Sequence, residues 1–470
     1  MSDLDLSYSP ATSLLTRMRD REISPVDVVR NALERIEEVN PRLNCFCFTY
    51  PEEALEKARL AEQVYSSAEP SGPLLGIPIA IKDLTPTAGK RTTLGSRAYE
   101  HWIPKSNAAI VDRLLAAGAI LIGKTTTPEF AAFSFTASPL WGTTYNPWNR
   151  DFSPGGSSGG SAVAVATGCV PMAEGSDMGG SVRIPAAFCG LAGLKPSFGR
   201  IPFDILATQF DALSHFGPLT RTVGDAALFL SVAQGPDERD IQSLSPGLTS
   251  PILVDHKVEN LKLAISTNFG YYAVDPEVAD NLRRTVEVLR RAGVTVEEVE
   301  LGLSAEINRA YYKHWTVYLA ALFSHHLENE RGLLDPLTVR QMEEGLSVSA
   351  VDFKRTEFVR SELWRTFATL LQKYDAFLCP TTAIAGLPIG ATDFDFGHIG
   401  DDGRFHGLHM TEHFNLLSQC PAISVPSGWN RHGLPTGIQV VGRRFDDITT
   451  LRVAAMIEAV QPWANVRPRI

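Results

Sequence analysis

The chain has 470 residues, 44% of them hydrophobic and 20% charged, which excludes a disordered, collagen-like or small stapled scaffold and leaves room for a large buried core. Its 43 Lys plus Arg against 53 Asp plus Glu give a net charge of −10, a balance that argues against nucleic acid or anionic lipid as partner. The acidic start MSDLDLSYSPATSLL, and a sequence in which no run nears the ~18 apolar residues of a membrane span, predict a cytoplasmic protein without a membrane partner.

Ser24-Pro25 ahead of VDVVRNALERIEEVN reads as a helix start, with Ser as N-cap, Pro in the first turn and Asn40-Pro41 as the end. Residues 1–24 are expected to form an N-terminal helical extension and residues 25–470 a single domain. Next comes GIPIAIKD, where Ile77, Ile79 and Ile81 share one strand face and Lys82 projects from the other with Pro78 and Ala80. Among such small residues, desolvation can turn a lysine into a base. Lowering its pKa from about 10.4 to about 7.5 takes roughly 4 kcal/mol, so nearby hydrogen bonds must hold the amine neutral. Spacing alone favours the plainer alternative, an exposed strand-end lysine.

From Asn107, AAIVDRLLAAG reads as a helix closed by Gly118 and AILIGKT as a buried strand, together half of a βαβ unit. Gly118 to Thr125 also spells the phosphate-loop string G-x-x-x-x-G-K-T. Its four middle residues are the strand itself, however, whereas a phosphate loop follows its strand and opens a helix. Two glycine-serine loops come next, SPGGSSGGS (Ser153 to Ser161) and GSDMGGSVR (Gly175 to Arg183), with the apolar AVAVATG between them. Adjacent glycines let main-chain N–H groups converge on a bound anion or on the oxyanion of a tetrahedral intermediate, and serines among them favour the second. Gly155 to Gly159 fits the G-x-S-x-G nucleophile elbow, but the loop NPWNRDFSP precedes it where the elbow needs a strand.

KLAIS (262–266) reads as a strand; Asp275-Pro276 caps a helix with Val278, Leu282, Val286 and Leu289 on one face, Gly293 stops it, and VTVEEV returns to extended structure. This grammar is α/β. Residues 304–372 are helical and rich in aromatics, Tyr311, Tyr312, Trp315, Tyr318 and Phe323 among them, and read as ordinary core helices in preference to a cap beside the sheet. Residues 392–407, TDFDFGHIGDDGRFHG, have the composition of a mobile loop. His406, His409 and His413 are spaced to line one helical face and hold zinc, but Gly403 and Gly407 weaken a helix and the base of H-E-x-x-H is missing. A polar substrate-entrance segment is the preferred reading. Cys45, Cys47, Cys169, Cys189, Cys379 and Cys420 are scattered and read as reduced, packed thiols.

GIPIAIKD, PGGSSGGS and GSDMGGSVRIPAAFCGLAGLKP together resemble the amidase signature family of serine hydrolases. YNPWN, GPLTRTVGDAALFL (217–230) and PAISVPSG (421–428) extend the likeness over most of the chain. The resemblance implies an α/β fold with a large mixed β-sheet core covered by helices on both faces and a helical region around 304–372. It implies Ser181 as nucleophile, Ser157 beside a cis peptide as bridging serine, and Lys82 as base. The main-chain N–H groups of Met178, Gly179, Gly180 and Ser181 match the family's oxyanion hole. Ser158, Asp177 and Arg183 would support the site, Ser158 by bonding within its own loop and the charged pair by bracing the second loop. The plainer reading of that pair is a surface ion pair. Met178 and Glu174 stand where many relatives carry Thr and an apolar residue.

The activity implied is hydrolysis of the C–N bond of a small to medium aliphatic or aryl/acyl amide. It needs no metal or organic cofactor, and its partner is the small-molecule substrate; homodimerisation is carried by the resemblance alone. One alternative is the glutaminase (A) subunit of a tRNA-dependent amidotransferase, against which TTTPEFAAFSFTASPLWG stands in place of an M-D-E-F-A-M-G type segment. The other is a non-catalytic anion- or nucleotide-binding protein, which the presence of all three relay residues disfavours. The substrate pocket is expected from Phe130 to Leu140, Tyr311 to Phe323 and 392–413.

Overall fold

Eleven strands join in one mixed sheet in the computed structural model, which describes residues 3–67, 72–245, 247–252, 254 and 261–470. In chain order they are β1 (Phe46–Thr49), β2 (Pro78–Lys82), β3 (Ile120–Thr125), β4 (Met172–Asp177), β5 (Ala192–Lys195), β6 (His215–Thr220), β7 (Lys262–Ile265), β8 (Thr295–Glu298), β9 (Ala376–Pro380), β10 (Ala422–Trp429) and β11 (Pro435–Gly442). Their order across the sheet is β1-β3-β2-β4-β6-β5-β10-β11-β9-β7-β8. β2 runs parallel to β3 and β4, β7 runs parallel to β8 and β9, and the remaining pairs are antiparallel. The central strands are buried along their whole length, as strands covered on both faces must be, so they read as runs of apolar and small residues.

The expected division of β2 into two faces is present. Ile77, Ile79 and Ile81 join a large cluster with residues of the Ala109–Ala116, Val223–Ala233, Pro276–Arg291 and Asp447–Val460 helices. Ala80 joins a second cluster with residues of the Pro25–Leu43 and Gly159–Ala166 helices. Helices therefore cover both faces. The Ala109–Ala116 helix links the parallel pair β2 and β3, and Gly118 follows it at φ +92°. The Gly118 to Thr125 string is thus turn and strand, with no phosphate loop.

Ser24 caps the Pro25–Leu43 helix by accepting from the Asp27 N–H (3.1 Å), and Asp27 returns a bond from the Ser24 N–H. That helix does not stop at Asn40-Pro41. Pro41 sits in the last turn, where its missing N–H removes one bond, and the helix ends at Asn44 in the left-handed region. Residues 3–19 form the Asp3–Ser7 and Ala11–Arg19 helices; Asp225 accepts from the Ala11 and Thr12 N–H groups, and Leu14 and Met18 enter the large cluster.

The segment from 304 holds the Glu306–Phe323, His326–Asn329, Pro336–Leu346 and Ala350–Lys373 helices. Residues 392–407 are more ordered than their composition predicts. A turn at Asp393–Asp395 leads into a hairpin pairing His398–Ile399 with Phe405–His406. Among the described residues no helix is long and apolar enough to cross a membrane.

Candidate active site

Lys82 closes β2 and is fully buried, so the exposed strand-end alternative fails. Its Nζ lies 2.7 Å from Ser157 Oγ and 2.9 Å from Ser176 Oγ. Burial lowers its pKa to about 7, against the pull of the Glu174 and Asp177 carboxylates. Among the described residues two hydroxyls and no carboxylate bond the amine, an environment in which a neutral lysine is satisfied.

Ser157 sits in the first glycine loop after a cis Gly156–Ser157 peptide. A Cβ on Gly156 would come within 2.3 Å of the Phe135 carbonyl oxygen, so only glycine lets this loop lie against the neighbouring chain. Ser158 departs from expectation. It bonds not within its own loop but across to the second: its N–H donates to the Ser181 carbonyl (3.1 Å), and its Oγ lies 3.3 Å from both the carbonyl oxygen and the N–H nitrogen of Ser176. These bonds seat Ser157 and Ser181 on the wall of one cavity.

The second loop leaves β4 at Asp177 and enters the Arg183–Cys189 helix. Asp177 and Arg183 form a two-pronged pair, Arg183 Nη2 to Asp177 Oδ1 at 2.8 Å and Nε to Oδ2 at 2.9 Å, with no exposure on either side chain. The surface-pair reading is therefore wrong. Burial alone would push the Asp177 carboxyl up, but the guanidinium outweighs it and holds the group well below the usual carboxylate range. Gly180, at φ +125°, spends its N–H on Asp177 Oδ1 (2.9 Å), and Thr411 Oγ1 donates to the Gly179 carbonyl (2.5 Å). The Gly179–Gly180 peptide is pinned at both ends, which removes Gly180 from the expected set of oxyanion donors. Among the described residues the N–H groups of Met178, Gly179 and Ser181 carry no protein acceptor.

The cavity has a volume of about 890 Å³, and all three expected segments supply its wall. Phe130 and Phe133 come from the first; Tyr311, Tyr312, Trp315, Tyr318 and Phe323 from the second; Asp393, Phe396, His409 and Glu412 from the third. The aromatics of Glu306–Phe323 are thus pocket wall, where core packing alone was the preferred reading.

The Amidase family model matches residues 27–451. The chain belongs to the amidase family. This amidase is 36% identical over 472 residues to an acylamidase of Rhodococcus erythropolis, covering 100% of the chain and 98% of that relative. It is 34% identical over 493 residues to a glutamyl-tRNA(Gln) amidotransferase subunit from Chloroflexus aggregans, with 99% of each covered. Its fold superposes with a TM-score of 0.90 on a bacterial aryl acylamidase of the amidase signature enzymes, at 30% identity, covering 98% of this chain and 99% of the other.

The three histidines of this amidase share no helical face. His406 lies on the hairpin, partly exposed beside Asp402; His409 pairs with the Glu412 carboxylate at the cavity wall; and His413, buried in the short helix it opens, lies 2.8 Å from the Tyr271 hydroxyl. Cys420 is a packed thiol whose pKa burial raises to about 11. Lys124 is buried and donates to the Thr85 carbonyl and to the Thr87 and Thr92 hydroxyls. Ser176, Thr411, Asn415 and Gln439 were not singled out by the sequence. Asn415 Oδ1 accepts from Arg183 Nη2 (2.6 Å) and Gln439 Oε1 from Nη1 (2.9 Å), across more than 230 residues of chain.

Proposed function

We propose that this amidase cleaves the C–N bond of carboxylic amides with aliphatic or aryl groups through an acyl-enzyme on Ser181. The reading rests above all on one observation: a buried lysine with its pKa near neutrality lies 2.7 Å from a serine on the wall of a cavity that a second serine shares. Neutral Lys82 takes the proton of Ser157 as Ser157 takes that of Ser181, and Ser181 Oγ attacks the amide carbon. The N–H groups of Met178, Gly179 and Ser181 receive the negative charge on the carbonyl oxygen; one such donor is worth roughly 10²–10³ in rate. As the tetrahedral adduct collapses, the proton returns through Ser157 to the departing nitrogen and the C–N bond breaks. Water then attacks the ester, giving its proton to the same relay, and the carboxylic acid leaves.

In this scheme Ser158 ties the first loop to the second, and the Asp177–Arg183 pair braces the second loop from within. The wall of Phe130, Phe133, Trp315 and Phe323 favours an aryl or extended apolar group on the substrate. The six free thiols support a cytoplasmic setting. A second reading draws on the amidotransferase relative: the same relay hydrolysing glutamine for a partner protein. The apolar wall favours the free-standing enzyme. The test is amine and ammonia release from aliphatic amides, anilides and glutamine, with Ser181→Ala and Lys82→Ala beside the wild type. Release from anilides that collapses in both variants supports the relay. Release that survives Ser181→Ala overturns it, and release from glutamine alone favours the second reading.

A further inference from the structure

The relay leaves Glu174, a buried acid at its back, unused. The β2–β4 pairing ends at Ala80 opposite Ala173, and beyond that point the Lys82 N–H meets not a main-chain carbonyl of β4 but the Glu174 carboxylate, Oε2 at 2.9 Å. The other oxygen, Oε1, accepts from the Thr85 hydroxyl at 3.0 Å. Glu174 is fully buried, and its own carbonyl is held by Ser161 Oγ at 2.8 Å. Both oxygens of Glu174 thus take a hydrogen bond; burial raises its carboxyl above the ordinary value, and the Lys82 N–H, the Lys82 and Lys124 amines and the Thr85 hydroxyl oppose that rise.

We propose that Glu174 is a positioning residue of the relay: its carboxyl group fixes the Lys82 main chain at the end of β2 and sets a negative charge behind the Lys82 amine. The inference rests on the reading of Lys82 as the base. Around Lys82 stand Glu174, the Asp177 carboxylate already matched by Arg183, and the hydroxyls of Ser157 and Ser176. Behind Glu174 stands the Lys124 ammonium, which also faces Asp83 and the Cys47 thiol. Burial drives Lys82 toward the neutral form, and Glu174 is the first opposing charge. Without that charge the lysine would be neutral but a poorer proton acceptor. Glu174 does not border the cavity, so it does not meet the substrate itself.

Glu174→Gln isolates the charge. The amide oxygen can keep the Lys82 N–H, and the Thr85 hydroxyl can turn to accept from the new NH₂. The readouts are hydrolysis of 4-nitroacetanilide and the rate of labelling by a fluorophosphonate, each followed against pH. The acidic limb of both profiles is expected to move down by roughly one pH unit in Glu174→Gln, with a lower plateau and an unchanged KM. Glu174→Asp keeps the charge on a shorter side chain, and its limb is expected to stay at the wild-type position. A limb that moves when the charge is removed and stays when it is kept is something a merely structural role does not produce. A rate that falls uniformly in Glu174→Gln with the limb in place, or a Glu174→Asp limb that moves down as well, overturns the inference, and the position of the Glu174→Asp limb alone decides if Glu174→Gln does not fold. Lys82→Ala separates the two levels. If it labels and turns over like wild type, the base assignment fails; if it is inert while Glu174→Gln overlays wild type, only the role of Glu174 fails.

Discussion

Lys82 carries opposite consequences for activity and stability. As a base it works only when neutral, so kcat/KM is expected to rise with pH through about 7 and level off above, falling about tenfold per unit below that limb. A profile without a limb between pH 6 and 8 would remove Lys82 from the base role. In the unfolded chain the same amine holds its proton up to about 10.4. Between the two values the unfolded state binds more protons than the folded state, so burying the amine costs stability that is regained as pH rises. Lys82→Met is therefore expected to be inactive and yet more stable than wild type at pH 7.5, by a few kcal/mol at most, read as a higher urea midpoint. That combination is characteristic of a group placed for chemistry at the expense of folding.

At the scale of elements, the second glycine loop is braced by the buried Asp177–Arg183 pair. Arg183→Met leaves the Asp177 carboxylate buried without its cation, and breaking such a pair costs about 3–5 kcal/mol. The folded Asp177 carboxyl is depressed, so the pair's stabilisation is present above the unfolded carboxyl value of about 3.9 and lost as pH falls below it. Urea unfolding at pH 7 and at pH 3 should thus show the variant's deficit shrinking in acid; an equal deficit at both would deny the pair its ionic character. These elements differ in how legible they were. The β2–helix–β3 unit and both loops were plain in the sequence because alternation, a closing glycine and paired glycines are local signals. Pro41 misplaced a helix end because a proline in the last turn removes only one bond. The 392–407 hairpin was hidden because its pairing, His398 with His406 and Ile399 with Phe405, leaves little periodicity in so short a run. Thr411, Asn415 and Gln439 reach the second loop from more than 220 residues away, and no local pattern announces a partner at that distance.

Across the whole molecule, the cavity lies where loops from the sheet meet the helices after Glu306, so its shape depends on how those two parts are joined. Phe130, from the segment after β3, stacks on Phe323 near the end of the Glu306–Phe323 helix, with ring centroids 4.0 Å apart and planes 3° from parallel. Both rings border the cavity, and the stack is one of the contacts that fix the distance between its walls. The sequence showed the aromatic run but not the side it faces, because a helix packed on one face and lining a cavity on another has aromatics all around it. Removing one ring of the stack gives up about 0.5–1.5 kcal/mol beyond the area it buries. Phe323→Ala leaves the relay untouched, so its effect belongs in KM rather than kcat. KM for an aryl anilide is expected to rise about 2–10-fold, with little change for a short aliphatic amide that does not reach the stack. An equal rise for both substrates would mean that the stack holds the site together without selecting what enters it, and a fall in kcat alone would place Phe323 in the support of the reacting groups instead.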